Sequence, residues 1–147
     1  MILFTMGFTQ KTAEQFFDLI RQNGIELLVD VRLNNRSQLA GFSKGVDLAY
    51  FLKEICGTKY THCAEFAPTK ELLSDYQRGL VSWEEYKKLF DGIMEQRGAY
   101  REFLSRLSEF DRICLLCSES TAEHCHRRLV AEKICTLAPD QVEIIHL

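Results

Sequence analysis

Apolar residues along the chain follow two alternating patterns. Short, largely apolar runs predict β-strands over residues 2–8, 25–31, 112–117 and 142–147, and residues 59–63 form a plausible further short strand. Apolar stripes at helical spacing predict helices between these strands. The predicted helices run from Thr12 to Gly24, from Leu48 to Gly57, from Thr69 to Arg78 and from Thr121 to Leu137. Two more carry apolar stripes, one from Trp83 to Ile93 and one from Tyr100 through Leu107 to Phe110.

Strands that alternate with helices favour an α/β fold. We predict one domain, residues 1–147, built as a single three-layer sandwich in which helices flank a mostly parallel sheet. The apolar run at residues 25–31 is typical of a central parallel strand that is covered on both faces. The predicted fold is Rossmann-like without a Gly-rich dinucleotide loop, because neither Gly7 nor Gly24 belongs to a G-x-G-x-x-G motif.

Composition narrows the classes of function. The net charge of −3 and the dispersed lysines and arginines make nucleic acid an unlikely partner. No run of 18 apolar residues is present, so no membrane span is expected. The first residues lack the basic and apolar regions of a signal peptide. We therefore expect a cytoplasmic protein whose six cysteines stay mostly reduced.

Polar residues lie where the predicted strands end. In open parallel sheets, ligands bind beyond the carboxyl ends of the strands, so these residues predict one site. We expect it to bind a small phosphorylated or nucleotide-like anion, and the residues leave open whether it is catalytic. The site residues are Asp30 and Arg32 at the end of the second strand, His62 at or after the third, Cys117 and Glu119 at the end of the fourth, and Cys125, His126 and Arg127 at the start of the last helix.

Cations are predicted to hold the anion. Arg32, with Arg36 and Lys44 in the polar loop over residues 32–45, can converge on it, since guanidinium groups bind phosphate or carboxylate through two bonds. Arg127 and His126 lie in the first turn of a helix, where backbone N–H groups favour anions. Arg127 is followed by a second arginine, and one of the two is expected to face solvent because neighbours on a helix point apart.

Other polar residues suggest catalytic roles. Cys117 or Cys125 would be a nucleophile or a polar wall of the site. Asp30, Glu119 and His62 would be acid–base or orienting groups. An alternative is that the carboxylate after the second strand only pairs with the neighbouring arginine and joins a loop to the sheet. A cysteine-phosphatase loop, C-x5-R, is excluded by the spacing of every cysteine.

Two further alternatives are a nucleic-acid- or protein-binding module without catalysis and a zinc-stabilised fold. Cys114, Cys117, Cys125 and His126 have the residue types of a zinc site. However, Cys114 and Cys117 are three apart on a strand and should face opposite sides of the sheet. Adjacent Cys125 and His126 should diverge on a helix. We therefore predict no metal ligand and no cofactor, and expect Cys114 in the core.

The combined motifs resemble the domain of unknown function 488 family. The resemblance rests on Asp30-Val31-Arg32, on Leu115-Leu116-Cys117-Ser118-Glu119 and on Cys125-His126-Arg127-Arg128, in this order. Many members carry proline in the loop after Asp-Val-Arg, where this chain has Asn34-Asn35. The resemblance implies a small cytosolic α/β domain without an established reaction.

Overall fold

The chain forms a parallel β-sheet with helices on both faces. The computed structural model describes residues 1–36, 40–106 and 109–147. The strands in these ranges are β1 (Ile2–Gly7), β2 (Leu27–Asp30), β3 (Lys59–His62), β4 (Arg112–Cys117) and β5 (Glu143–His146). They are hydrogen-bonded in the order β3-β2-β4-β1-β5, and every neighbouring pair is parallel. The predicted α/β fold is confirmed.

Helices connect the strands. They are α1 (Ala13–Gln22), α2 (Gly45–Phe51), α3 (Lys70–Gln77), α4 (Trp83–Arg97), α5 (Ala99–Arg106) and α6 (His126–Leu137). A π-helical segment, Leu52–Cys56, continues α2, and a 3-10 turn, Ala64–Phe66, follows β3. Leu107, which the sequence pattern assigns to the α5 stripe, lies outside the described residues. No helix within the described ranges has the length and apolar character needed to cross a membrane.

Two hydrophobic cores lie on opposite faces of the sheet, which confirms the three-layer arrangement. One core packs α1, α2 and the π-helical segment against the sheet, and the other packs α3, α4, α5 and α6. Successive residues of a strand point to opposite faces, so each inner strand supplies side chains to both cores. On β4, for example, Ile113 and Leu115 enter the second core, whereas Cys114 and Leu116 enter the first.

The connections leave the neighbouring strands β2 and β4 in opposite directions. From β2 the chain passes through α2 to β3 at one edge of the sheet, and from β4 it passes through α6 to β5 at the other edge. In such sheets the crevice at the point of divergence is the usual place for a ligand. The backbone N–H of Val31 donates to the carbonyl of Leu116 at 3.0 Å, which brings the ends of these two strands level with each other.

Local residues explain where α1 begins and where the π-helical segment ends. Thr12 and Gln15 form the capping box predicted from their spacing: each side chain accepts a hydrogen bond from the other's backbone N–H, at 3.1 and 2.9 Å. Gly57 ends the π-helical segment in the left-handed conformation, with φ of 68°.

Candidate functional site

Asp30 and Arg32 form a buried ion pair at the end of β2. The Arg32 Nε and Nη2 atoms donate hydrogen bonds of 2.8 and 2.6 Å to the two carboxylate oxygens of Asp30. The backbone N–H of Arg32 donates a third bond, 3.1 Å long, to Oδ1 of the same carboxylate. Asp30 is fully buried and Arg32 is 3% exposed. Because one residue separates them, the pair fixes the course of the chain as it leaves β2.

Tyr60 and the loop after β2 complete this network. The Tyr60 hydroxyl donates to Asp30 Oδ2 at 2.7 Å and accepts from Asn35 Nδ2 at 3.1 Å. Burial and the Asp30 carboxylate raise the pKa of Tyr60 to about 12, so its hydroxyl keeps the proton that it donates. Arg32 Nη2 also donates to the carbonyl of Ser43 at 2.7 Å. Both oxygens of Asp30 therefore already accept hydrogen bonds, which suits a residue that orients Arg32.

Arg32 also lies against the ring of Phe8, with its Cζ atom 5.1 Å from the ring centroid. Its remaining nitrogen, Nη1, is buried and finds no hydrogen-bond partner among the described residues. A buried donor left unsatisfied costs about 1–3 kcal/mol, and a charged group costs more. The pair with Asp30 thus neutralises the charge of Arg32 without using all its N–H groups.

Arg127, in the first turn of α6, is a second buried arginine at this edge of the sheet and is 1% exposed. Its Nη1 donates to the Glu119 carbonyl at 2.6 Å and to the Cys125 Sγ atom at 3.5 Å. Its Nε is buried and lacks an acceptor within the described part of the chain. Arg128 points outward and pairs with Glu132 at 2.7 Å. This confirms that one of the two adjacent arginines faces solvent.

The segment after β4 crosses closely over the end of β1. A Cβ atom on Gly7 would lie 1.6 Å from the Glu119 carbonyl oxygen and 3.2 Å from Arg127 Nη1. Glycine at this position therefore lets the Glu119 carbonyl reach the place where Arg127 donates to it. The sequence predicts Gly7 only as a strand end, although glycine within a strand often marks the close approach of another backbone.

Two cysteines and a histidine converge between β4 and α6. The Sγ atoms of Cys117 and Cys125 and a ring nitrogen of His126 all lie within 4.8 Å of one another. Their exposed fractions are 6%, 2% and 8%. The Nε2–H of His126 donates to the Val31 carbonyl at 2.8 Å, which places a proton on Nε2. His126 thus connects α6 to the end of β2.

The prediction that Cys125 and His126 diverge is wrong. It assumed that both residues are helical, whereas α6 begins at His126 and not near residue 121. Cys125 is the N-cap residue and has an extended backbone, with φ of −126° and ψ of 138°. Cys114, in contrast, is fully buried in the opposite core, as predicted. The converging group therefore contains three of the four residues that the sequence pattern suggested.

Cys117 and Cys125 are joined by a hydrogen bond that shifts their pKa values in opposite directions. A hydrogen bond with the Cys125 side chain holds the pKa of Cys117 below its ordinary value, and two backbone N–H groups and Arg127 act in the same direction against the effect of burial. The same contact and burial raise the pKa of Cys125. The thiol of Cys125 therefore donates toward the sulfur of Cys117, which has the more thiolate character of the two.

The remaining predicted site residues lie farther out. His62 is exposed, and its Nε2 donates to the Arg32 carbonyl at 2.7 Å. Glu119 is exposed and contributes its backbone carbonyl. Arg36 is exposed, and its backbone N–H donates to Asn34 Oδ1. Lys44 is the N-cap residue of α2, and among the described residues neither its side chain nor that of Arg36 hydrogen-bonds to the buried ion pair.

The buried site residues cover one another and form a closed site. A separate cavity of about 620 Å³ lies between α1 and the segment around α2, and its walls include Phe17, Phe42 and Phe51. Within the described ranges, none of the predicted site residues lines this cavity. Its wall is largely apolar and is formed by residues other than those at the ends of β2 and β4.

Comparison with known proteins identifies a family. A family model described as "Domain of unknown function DUF488" matches residues 12–134. This stretch includes the Asp30–Arg32 pair, Tyr60, Arg127 and the group of Cys117, Cys125 and His126. Gly7 and Phe8, at the end of β1, lie before it. No curated protein and no solved structure matches the chain.

Proposed function

We propose a function for this chain, which belongs to the DUF488 family, from the two buried arginines at the carboxyl ends of its strands. The site binds a small oxyanion, such as the phosphate group of a phosphorylated or nucleotide-like metabolite. One observation carries the proposal. Arg32 Nη1 and Arg127 Nε are buried donors that have no acceptor in the part of the chain the structure describes.

The energetic cost of leaving these two buried donors without an acceptor favours the binding of a ligand. Each buried N–H without an acceptor costs about 1–3 kcal/mol. Guanidinium groups recognise the planar or tetrahedral oxygens of carboxylates and phosphates through short, charge-assisted bonds. An oxyanion that accepts from both arginines would remove this cost.

The charges favour an anion as well. Asp30 neutralises Arg32. Arg127 contacts a carbonyl and a sulfur, and it has no carboxylate partner among the described residues. A buried charge without a counter-ion is strongly unfavourable, so an anion at this edge would also stabilise Arg127.

Entry of the anion requires a movement. Both arginines are almost completely buried, and residues 118–125 connect β4 to the start of α6 over the end of β1. Displacement of this segment would expose Arg127 and the two thiols together. The catalytic roles predicted for Cys117, Cys125, Asp30, Glu119 and His62 remain predictions. Among these, the lowered pKa of Cys117 best suits a nucleophile.

Thermal-shift measurements test the proposal. The native protein is titrated with phosphate, pyrophosphate and adenosine monophosphate at constant ionic strength, with chloride as the reference anion. We expect stabilisation that saturates with ligand concentration. Arg127→Lys keeps the positive charge but loses the guanidinium N–H groups, and should weaken binding about 10- to 150-fold, the equivalent of one charge-assisted bond of about 1.5–3 kcal/mol.

Arg128→Lys is the matched control, since this neighbouring arginine is exposed and pairs with Glu132. It should leave anion affinity unchanged. If no anion stabilises the native protein, or if Arg127→Lys binds as tightly as the native chain, the proposed function is wrong.

A further inference from the structure

Three potential metal ligands meet at the junction of β4 and α6. Cys117, Cys125 and His126 bring two sulfur atoms and one ring nitrogen within 4.8 Å of one another. We propose that these three side chains bind one thiophilic divalent cation, Zn²⁺, and leave a fourth coordination position open to water or another exogenous ligand. This proposal goes beyond anion binding and does not depend on it.

The distances suit a tetrahedral ion. Zinc bonds of about 2.3 Å to sulfur and about 2.0 Å to nitrogen place the ligand atoms about 3.5–3.8 Å apart. Cys117 Sγ already lies 3.8 Å from His126 Nδ1. The remaining separations stay within 4.8 Å, and binding would need the imidazole to rotate until Nδ1 faces the two sulfur atoms, since Cys117 Sγ also lies 3.9 Å from Nε2.

The surroundings of His126 resemble those of a metal ligand. Histidines that bind metals usually donate their other ring N–H to a carbonyl or carboxylate, which fixes the orientation of the ring. His126 makes this bond from Nε2 to the Val31 carbonyl at 2.8 Å. Nδ1 is therefore the ring nitrogen left to bind the ion, after a rotation of the imidazole that turns it toward Cys117, whose Sγ lies 3.8 and 3.9 Å from Nδ1 and Nε2.

The charges of the group also suit zinc. Two thiolates and one neutral imidazole would cancel the charge of Zn²⁺, so the occupied site would be neutral although it is buried. Arg127 Nη1 lies 3.5 Å from Cys125 Sγ and would donate to the coordinated sulfur.

The group offers three ligands and not four. Cys114 lies in the core on the opposite face of the sheet. No other Cys, His, Asp or Glu in the described ranges joins the group. Three protein ligands with one open position are the arrangement of catalytic zinc sites, whereas structural sites are closed by a fourth protein ligand.

Cobalt titration tests the site in the full chain, prepared without a polyhistidine tag and kept reduced. Co²⁺ replaces zinc and reports thiolate coordination through a sulfur-to-cobalt charge-transfer band. We expect saturation at about one equivalent per chain and displacement of the cobalt by Zn²⁺. Cys117→Ser and Cys125→Ser should each weaken binding by more than the roughly 10- to 100-fold that loss of an outer-shell partner costs.

Cys135→Ser is the matched control, because Cys135 is a half-buried thiol on α6 whose sulfur contacts the Val142 carbonyl. It should bind cobalt like the native chain. If the site variants fail to fold, X-ray absorption of the zinc-loaded native protein still tests the coordination. A zinc coordination shell with two sulfur ligands and nitrogen supports the site. A coordination shell without sulfur overturns it.

Cys117 and Cys125 are also close enough to raise the alternative of a redox-active dithiol. The same experiment separates the two. If the reduced protein binds no cobalt while mild oxidation joins these two cysteines in a disulfide, the metal site is excluded. The titration uses phosphate-free buffer, so its outcome is independent of anion binding.

Discussion

At the scale of single residues, the Asp30 carboxylate joins three parts of the chain. It ends β2, pairs with Arg32 in the following loop and accepts from Tyr60 on β3. Removal of one partner from a buried ion pair leaves an uncompensated charge and costs about 3–5 kcal/mol. Asp30→Ala would therefore unfold the neighbourhood of the site and would reveal little about its chemistry.

Tyr60→Phe is a milder probe of the same network. It removes the hydroxyl that donates to Asp30 at 2.7 Å and keeps the ring. We expect a loss of about 1.5–3 kcal/mol in the free energy of unfolding at neutral pH, measured by urea denaturation, because the lost bond is to a charged group. Tyr50→Phe, at a tyrosine that is 63% exposed, is the control and should change stability by less than about 0.5 kcal/mol.

The pH dependence of this difference tests its cause. The pKa of Tyr60 rises from 10.0 to about 12 on folding, so the folded state retains the proton more strongly. The stabilisation from Tyr60 is complete below pH 10 and is lost as the pH rises through 12. The stability difference between the native chain and Tyr60→Phe should therefore narrow over this range. A constant difference would mean that folding does not raise the pKa of the Tyr60 hydroxyl.

At the scale of elements, the sequence predicted the strands more closely than the start of α6. The strand of residues 112–117 was predicted at its observed bounds, because the five consecutive apolar residues 113–117 favour a buried strand. The α6 stripe contains Val130 and Ile134, but no proline or polar cap residue marks its start. Cys125 occupies the N-cap without a side-chain cap bond. The convergence of the two cysteines with His126 depends on that single boundary.

A second feature at the scale of elements is the close approach of the segment after β4 to β1 at Gly7. Gly7→Ala would place a Cβ atom 1.6 Å from the Glu119 carbonyl oxygen, so the segment after β4 must move. Overpacking of this kind costs about 1–3 kcal/mol, and here the obstacle is backbone. We expect a lower free energy of unfolding and a weaker response to phosphate, because the Glu119 carbonyl positions Arg127.

Gly92→Ala is expected to raise the stability of the protein, whereas Gly7→Ala is expected to lower it. Gly92 lies inside α4, and a Cβ atom there meets no atom within 4 Å in the described part of the chain. Alanine is favoured over glycine in a helix by about 0.8–1.0 kcal/mol, so this variant should be more stable than the native chain. If Gly7→Ala proved equally harmless, the close approach between β1 and the segment after β4 would not exist in solution.

At the scale of the whole molecule, the sequence predicts a parallel sheet but not the order of its strands. Alternating strands and helices require crossover connections and hence parallel neighbours. The four residues of β3 are half-buried or exposed, which suits an edge. The strands β1, β2 and β4 are buried almost throughout, so burial alone does not predict their order in the sheet. Their order depends on long-range packing, and that order makes β2 and β4 neighbours and gathers the site.

Hydrogen exchange followed by NMR tests this order directly. β4 is hydrogen-bonded to β1 on one side and to β2 on the other, and its side chains enter both cores. Its amides should therefore exchange only through global unfolding, at rates that depend steeply on denaturant. The edge strands β3 and β5 each pair on one side and should exchange through smaller openings. Protection of β5 amides equal to that of β4 would contradict the order β3-β2-β4-β1-β5.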